Sequence, residues 1–219
     1  MDCRRYALAV LSALLPFSAV AESCHINGHD KPPVVHLDAS MAEPVYFRDL
    51  NKHELTVRHG LLKTGQTELG LTTSEVRLNV RPKVWFLPRP GGGCVVLEAV
   101  EVVFRIERVH VDIASDYRTD SCAYQVIHAH EDQHVAFTRQ AFNAALPEMR
   151  RLLVTAANDR RSTLTRSRSS DAAAHEVLND IMARIQPAYQ TYQREARSLN
   201  ASIDTQQSYA ALHNRCRAW

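Results

Sequence analysis

Val126-Ile127-His128-Ala129-His130-Glu131-Asp132-Gln133-His134-Val135-Ala136 marks where the sequence changes its period. Before it, apolar residues alternate one by one. Val100, Val102, Phe104 and Ile106 are interleaved with Glu101, Arg105 and Glu107, which is the pattern of a half-buried strand. From about Cys122 the apolar positions recur every three or four residues: Ile127, His130, His134, Phe137 or Thr138, Ala141 and Ala145 share one face. The sequence predicts a helix from Cys122 to about Ala145, capped by Asp120 or Ser121, with Pro147 kinking it or starting another that reaches about Ala157.

His130 and His134 are four residues apart, so on a helix they lie on one face a turn apart. Two imidazoles so placed can reach one zinc ion at about 2.0–2.1 Å. Glu131 follows the first of them and can stand over the open side of the metal, where it would act as general base toward water. With 11 histidines in 219 residues, an HExxH arises by chance in roughly 3 of 100 shuffled chains of this composition. The motif in a helical context therefore predicts zinc as cofactor. His128 falls on the wrong side of the helix, His175 lies off the apolar stripe of the later helix, and His110 is on the polar parity of its strand. All three read as structural or solvated.

Outward from this helix, residues from Val34 to Ile113 read as β-rich. The expected strands cover Val45-Tyr46-Phe47, Leu55 to Val57, Arg77 to Leu87 and Cys94 to Ile113. Pro88 to Gly93 is a turn signal. After Arg108 the parity flips, and Val109, Val111 and Ile113 become the apolar set, which implies a bulge. Asn158 to Ser170 is polar and reads as a connection. A second long helix is expected from Asp171 to Asn200, with Leu178, Ile181, Ile185, Ala188, Tyr192, Ala196 and Leu199 as its stripe. The expected architecture is α+β: an N-terminal sheet, then two long antiparallel helices carrying the metal site.

At the N-terminus, Arg4 and Arg5 precede an apolar run from Ala7 to Val20, and Ala19-Val20-Ala21 offers a signal-peptidase site. Residues 1–21 read as a signal peptide and 22–219 as one domain, β-rich over 22–116 and helical over 117–219. The run is shorter than the ~20 residues a spanning helix needs, so no membrane insertion is expected after cleavage. Cys24, Cys94, Cys122 and Cys216 remain, an even number suited to an oxidising compartment. A periplasmic or secreted location follows. Of three pairings, the reading favours Cys122 with Cys216 and Cys24 with Cys94. A net charge of +2 gives no argument for nucleic acid or for a membrane surface. The arginines between Arg150 and Arg168 have no interleaved aromatics and read as a solvated connection.

The stretch Val126 to Ala136 resembles the helix of a bacterial family of uncharacterised domains described as secreted zinc-dependent proteases, in which a β-rich half precedes HExxH. The resemblance is zincin-like, and it implies a metallopeptidase with a peptide or protein substrate. Phe137 and Gln140 stand where an extended HExxHxxGxxH would need Gly and His, so the third ligand comes from elsewhere. In the gluzincin pattern it is a glutamate of a later helix. Glu195 lies at the edge of the second stripe, whereas Glu176 points away from it, and Glu195-Ala196-Arg197-Ser198 resembles part of the gluzincin motif. The protease family instead carries an Asp and, a few residues later, a His. Here Asp204 and Tyr209 stand in those places. The third ligand is thus Glu195, Asp204 or Tyr209, with Glu195 first. Tyr209, if brought to the cleft, would donate its phenol to a developing oxyanion. The alternatives to a peptidase are a non-catalytic zinc-binding module, closed by a fourth protein ligand, and a metallohydrolase of cell-wall amides.

Overall fold

The structure, a computed structural model, describes residues 24, 26–29, 31–60 and 67–219. The expected signal peptide lies outside the described residues. The fold is mixed α/β. Its elements are β1 (Val34–Met41), β2 (Pro44–Phe47), α1 (Lys52–Arg58), β3 (Gly70–Arg89), β4 (Gly92–Ile113), α2 (Cys122–Asp159), β5 (Ser162–Thr165), α3 (Ser170–Ile203) and α4 (Gln206–His213).

The long strand β4 is the axis of the sheet. β3 pairs antiparallel along one side of it. On β4 the other partners follow one another: β5 at Gly93–Val96, β1 at Ala99–Ile106 and β2 at Val109–Asp112, with β5 antiparallel and β1 and β2 parallel. The parity flip has its counterpart in the register. Glu75 pairs with Arg108 but Val76 pairs with Ile106, which leaves Glu107 as the extra residue of a bulge.

The inward residues of β4 meet the apolar stripes of α2 and α3. Phe104 is fully buried, with its ring 4.8 Å from Phe142 of α2 and 5.5 Å from Tyr192 of α3. Its replacement by Ala would cost about 3–5 kcal/mol. Asn200 near the end of α3 meets His134 in the first half of α2, while Arg184 and Asp180 in the first half of α3 pair with Asp159 and Arg160 at the end of α2.

Three expectations need correction. Leu55 to Val57 is helical, within α1. Asn51 accepts from the backbone of His53 and Glu54, and the Glu54 side chain caps back, so a complete capping box outweighs the strand propensity of Thr56 and Val57. The polar connection after α2 also holds a strand, β5, which adds to β4. Pro147 does not divide α2, which runs unbroken from Cys122 to Asp159. Both disulfides have the expected partners, Cys24 with Cys94 and Cys122 with Cys216. Two bridges fit an oxidising compartment, and no helix among the described residues is long and apolar enough to cross a membrane.

Candidate metal centre

Ser121 caps α2 by accepting from the Tyr124 backbone, and the helix then carries His130 and Glu131 into the core, where they are 5% and 3% exposed. His130, His134 and Asp204 converge. The Nε2 atoms of the two histidines are 3.2 Å apart. Asp204 Oδ1 is 3.2 Å from His130 Nε2 and 3.1 Å from His134 Nε2. A tetrahedral metal with ligands at 2.0–2.2 Å separates neighbouring ligand atoms by about 3.3 Å. The triangle therefore has the size of one face of such a tetrahedron. This is the group among the described residues that could hold a metal ion.

The protonation of His134 follows from its neighbours. Asn200 donates from Nδ2 to the carbonyl of Ala196 at 2.8 Å, which turns its Oδ1 toward His134. That oxygen lies 2.8 Å from His134 Nδ1. An amide oxygen only accepts, so Nδ1 carries a hydrogen in either state of the ring; Nε2 donates to Asp204 when the ring is protonated, and losing that proton leaves a lone pair facing the triangle. Tyr209 donates its hydroxyl to Asp204 Oδ1 at 3.1 Å.

The electrostatics suit a cation. Burial opposes ionisation of Asp204, but hydrogen bonds with His130 and His134 outweigh it and hold the carboxyl well below the usual carboxylate range. Burial lowers the basicity of His134, yet the Asp204 hydrogen bond and the nearby Glu131 carboxyl leave its pKa raised. Glu131 is pushed up to about 7, chiefly by burial, with the histidines and a hydrogen bond from Thr72 partly opposing the shift. Thr72 Oγ1 donates to Glu131 Oε2 at 2.8 Å. Burial and the neighbouring Asp204 push the Tyr209 phenol far above its ordinary range, so it stays a donor.

Comparisons with known protein families, curated proteins and solved structures gave no match. The site is therefore read from its own geometry. A cavity of about 200 Å³ opens beside the triangle and is lined by Glu131, His134, Asp204 and Tyr209 together with the first residues of β3, Gly70 to Thr72 and Ser74. Gly70 lets Glu131 sit against the strand, because a Cβ at this position would lie 2.5 Å from Glu131 Oε1 and the carboxyl would have to shift. A second hollow of about 600 Å³ adjoins it past Asp204 and Tyr209. His59 and Glu68, hydrogen-bonded to each other, line both.

The structure thus brings together His130, Glu131, His134 and Tyr209 as expected of neighbours in one site, with Asp204 completing the group. Glu195 is half-buried on α3 and is not in the group. Ala196 and Asn200, one turn apart, mark the helix face toward His134, and Glu195 is turned about 100° from it. His128 points elsewhere, stacking on Tyr46 at 4.7 Å and lying 3.1 Å from Asp132. His175 is exposed. His110 stacks on Phe47 at 4.0 Å and does not line the cavity. Gly70 and Thr72 carry no signal in the sequence, and Asn200 stands there only as the residue one place beyond the Asp of a gluzincin second motif. The first two lie about 60 residues before Glu131 in the chain, and no local pattern connects them.

Proposed function

We propose that the protein is an exported zinc-dependent hydrolase of the HExxH type, and that it cleaves peptide bonds. One observation carries the reading: a buried carboxyl, Glu131, stands beside a three-donor group sized for a tetrahedral metal, and both face a cavity walled by a strand. Three protein donors leave one tetrahedral position open, as catalytic zinc sites do and closed structural sites do not. The opposed run of α2 and α3 across the site supports a zincin-like arrangement.

His130, His134 and Asp204 would hold the metal, which when bound supplies Lewis acidity toward water and the substrate carbonyl. Glu131 is the base for the attacking water. Its basicity is raised toward neutrality by burial, and Thr72 fixes its orientation. Asn200 keeps His134 in the ligating tautomer. Tyr209, protonated and hydrogen-bonded at the rim, is the donor for charge developing on the carbonyl oxygen.

A peptide substrate is favoured over other amides by β3. The run Val100 to Ile113 lies in β4 and has partners on both sides, so it offers no free edge to a substrate. β3 pairs only with β4 among the described strands, and its first residues line the cavity. Its other edge can pair with an extended peptide backbone. The same two-histidine, one-carboxylate donor set also suits Fe(II). The Glu131 base beside it favours hydrolysis and hence zinc.

The test is metal analysis of the purified chain together with a peptide-library cleavage profile of wild type and Glu131→Gln. About one zinc per chain in both, with turnover lost by 10²–10⁴-fold in the variant, is expected. Iron in place of zinc, or equal turnover in both proteins, overturns the reading.

A further inference from the structure

The arginines after α2 have no aromatic residue near them in sequence, but β5 changes their surroundings. In the register of the sheet Leu87 faces Cys94, and Cys94 faces Leu164. One step along, Trp85 faces Val96. Trp85, Leu87 and Leu164 are 48%, 45% and 46% exposed and belong to one outward row set. Strands stand about 4.8 Å apart, so Leu87 and Leu164 lie on either side of the Cys24–Cys94 bridge, and Trp85, next to Leu87 on β3, carries the His29 ring at 4.4 Å. The same end of the sheet carries unneutralised cations. Arg89 pairs in register with Gly92, and the Cα of Arg166 lies against Gly92. Arg168 follows. None of these three has a carboxylate partner among the described residues, whereas the nearby Glu98 is engaged by Lys83 and Trp85, and Glu176 by Thr165, Ser167 and Arg160. Elsewhere on this face charges are matched: Arg105 with Asp38, Arg77 with Glu107, Arg108 with Glu75.

We infer that this end of the sheet docks on the surface of an anionic lipid bilayer. A tryptophan and two leucines rimmed by arginines match the two layers of such a surface, acyl boundary and charged headgroups. Position agrees with chemistry. Cys24 is bonded to Cys94, in the middle of the Leu87–Cys94–Leu164 row. The apolar run Ala7 to Val20 ends four residues earlier, a reach of at most about 14 Å. The metal centre is at the opposite end of β3, about 45 Å from Trp85 along the strand. Docking here leaves the cleft turned to solvent, and it does not depend on the hydrolase reading.

The test uses the chain lacking residues 1–21 and large vesicles of phosphatidylcholine with or without about 30% phosphatidylglycerol, in buffer of about 50 mM salt so that screening is weak. Co-sedimentation only with the anionic vesicles is expected. In a Trp219→Phe background the remaining tryptophan is Trp85, and its emission should shift to the blue on binding. Arg89→Gln, Arg166→Gln and Arg168→Gln together should lower the partition coefficient on the order of 100-fold, at about 1 kcal/mol per cation. Leu164→Ser, a mild change at an exposed site, should lower it less and should leave circular dichroism unchanged. Absent binding to anionic vesicles, or equal binding by the triple variant, overturns the proposal. So does binding without a Trp85 shift, or equal binding to soluble polyglutamate, either of which would make the surface a charge-only site for acidic polymers.

Discussion

His134 donates from Nδ1 to Asn200 Oδ1 at 2.8 Å, and this one bond ties the metal-site helix to the last turns of α3. It decides which nitrogen of His134 is free. Asn200→Leu removes the acceptor and keeps the bulk. Metal affinity should fall 10–100-fold, the usual effect of losing a partner behind a ligand. Asn200→Asp keeps an acceptor and should stay close to wild type. Competition with a chromophoric chelator measures both. An unaffected Asn200→Leu variant would remove Asn200 from the site.

Asp204 and Glu195 separate in the same assay. Asp204→Ala takes one donor from the triangle and should abolish stoichiometric zinc binding at micromolar metal, whereas Glu195→Ala should bind as wild type does. Loss of zinc on replacing Glu195 instead would return the third ligand to α3.

Much of this arrangement is legible in the sequence. The change of period at Tyr117 to Cys122, the bulge after Arg108 and the HExxH face each follow from local spacing. The third donor does not, for a geometric reason. A helical wheel ranks residues that lie on the helix, and α3 ends at Ile203. Asp204 is its C-cap, with φ −89° and ψ 46°, so the chain leaves the helical path there and its carboxylate reaches the histidines by a direction the wheel does not contain. Gly70 and Thr72 are illegible for another reason: their role comes from the pairing of β3 with β4, which sets the start of β3 against a helix some 60 residues later. The lone strand prediction at Leu55 to Val57 fails because three residues of propensity compete with a capping box.

Gly70→Ala tests whether Glu131 must keep its place. The added methyl would overlap Oε1, Cδ and Cγ of Glu131, all within 2.5–2.9 Å. Glu131 is buried and cannot swing into solvent, so its carboxyl must leave Thr72. The variant should retain zinc, because the three donors are untouched. It should lose most of whatever turnover the wild type shows, approaching Glu131→Gln. Turnover equal to wild type would show that the base tolerates displacement.

Zinc should also protect the fold more at high pH than at low. His134 has a raised pKa in the metal-free protein. Its proton therefore adds stability below the unfolded value of about 6.5, and that stability is lost as pH rises through the folded value. Zinc must displace the same proton, so the two compete at low pH and not at high. The rise in Tm on adding zinc should be small at pH 5.5 and large at pH 8. A rise independent of pH would mean that the metal binds without displacing a proton from the histidines.

The Cys122–Cys216 bridge should matter to the metal more than to the fold. Cys122 opens α2, eight residues before His130, and Cys216 follows α4. Between them the chain carries Asp204 and Tyr209 across the site. α4 has no buried residue, so packing alone holds it weakly. Its other anchors are Tyr209, bonded to Asp204 with its ring 5.6 Å from that of His130, and Trp219, whose ring meets Tyr117 and His213 and whose indole donates to the His213 carbonyl. Cys122→Ser with Cys216→Ser closes no loop, and the chain-entropy model assigns such a long loop roughly 4–5 kcal/mol of global stability. If α4 frays before the core unfolds, most of that loss is local, because the untethered residues are those already weakest. The expected result is a Tm lowered by a few degrees and a zinc affinity lowered at least tenfold, with hydrogen exchange rising in residues 204–216 and unchanged in α2 beyond Phe142. Replacing Cys24 and Cys94 instead should leave zinc affinity as it is. Were the first pair to lower Tm with no change in zinc affinity, the strap would be holding Asp204 without help from the bridge.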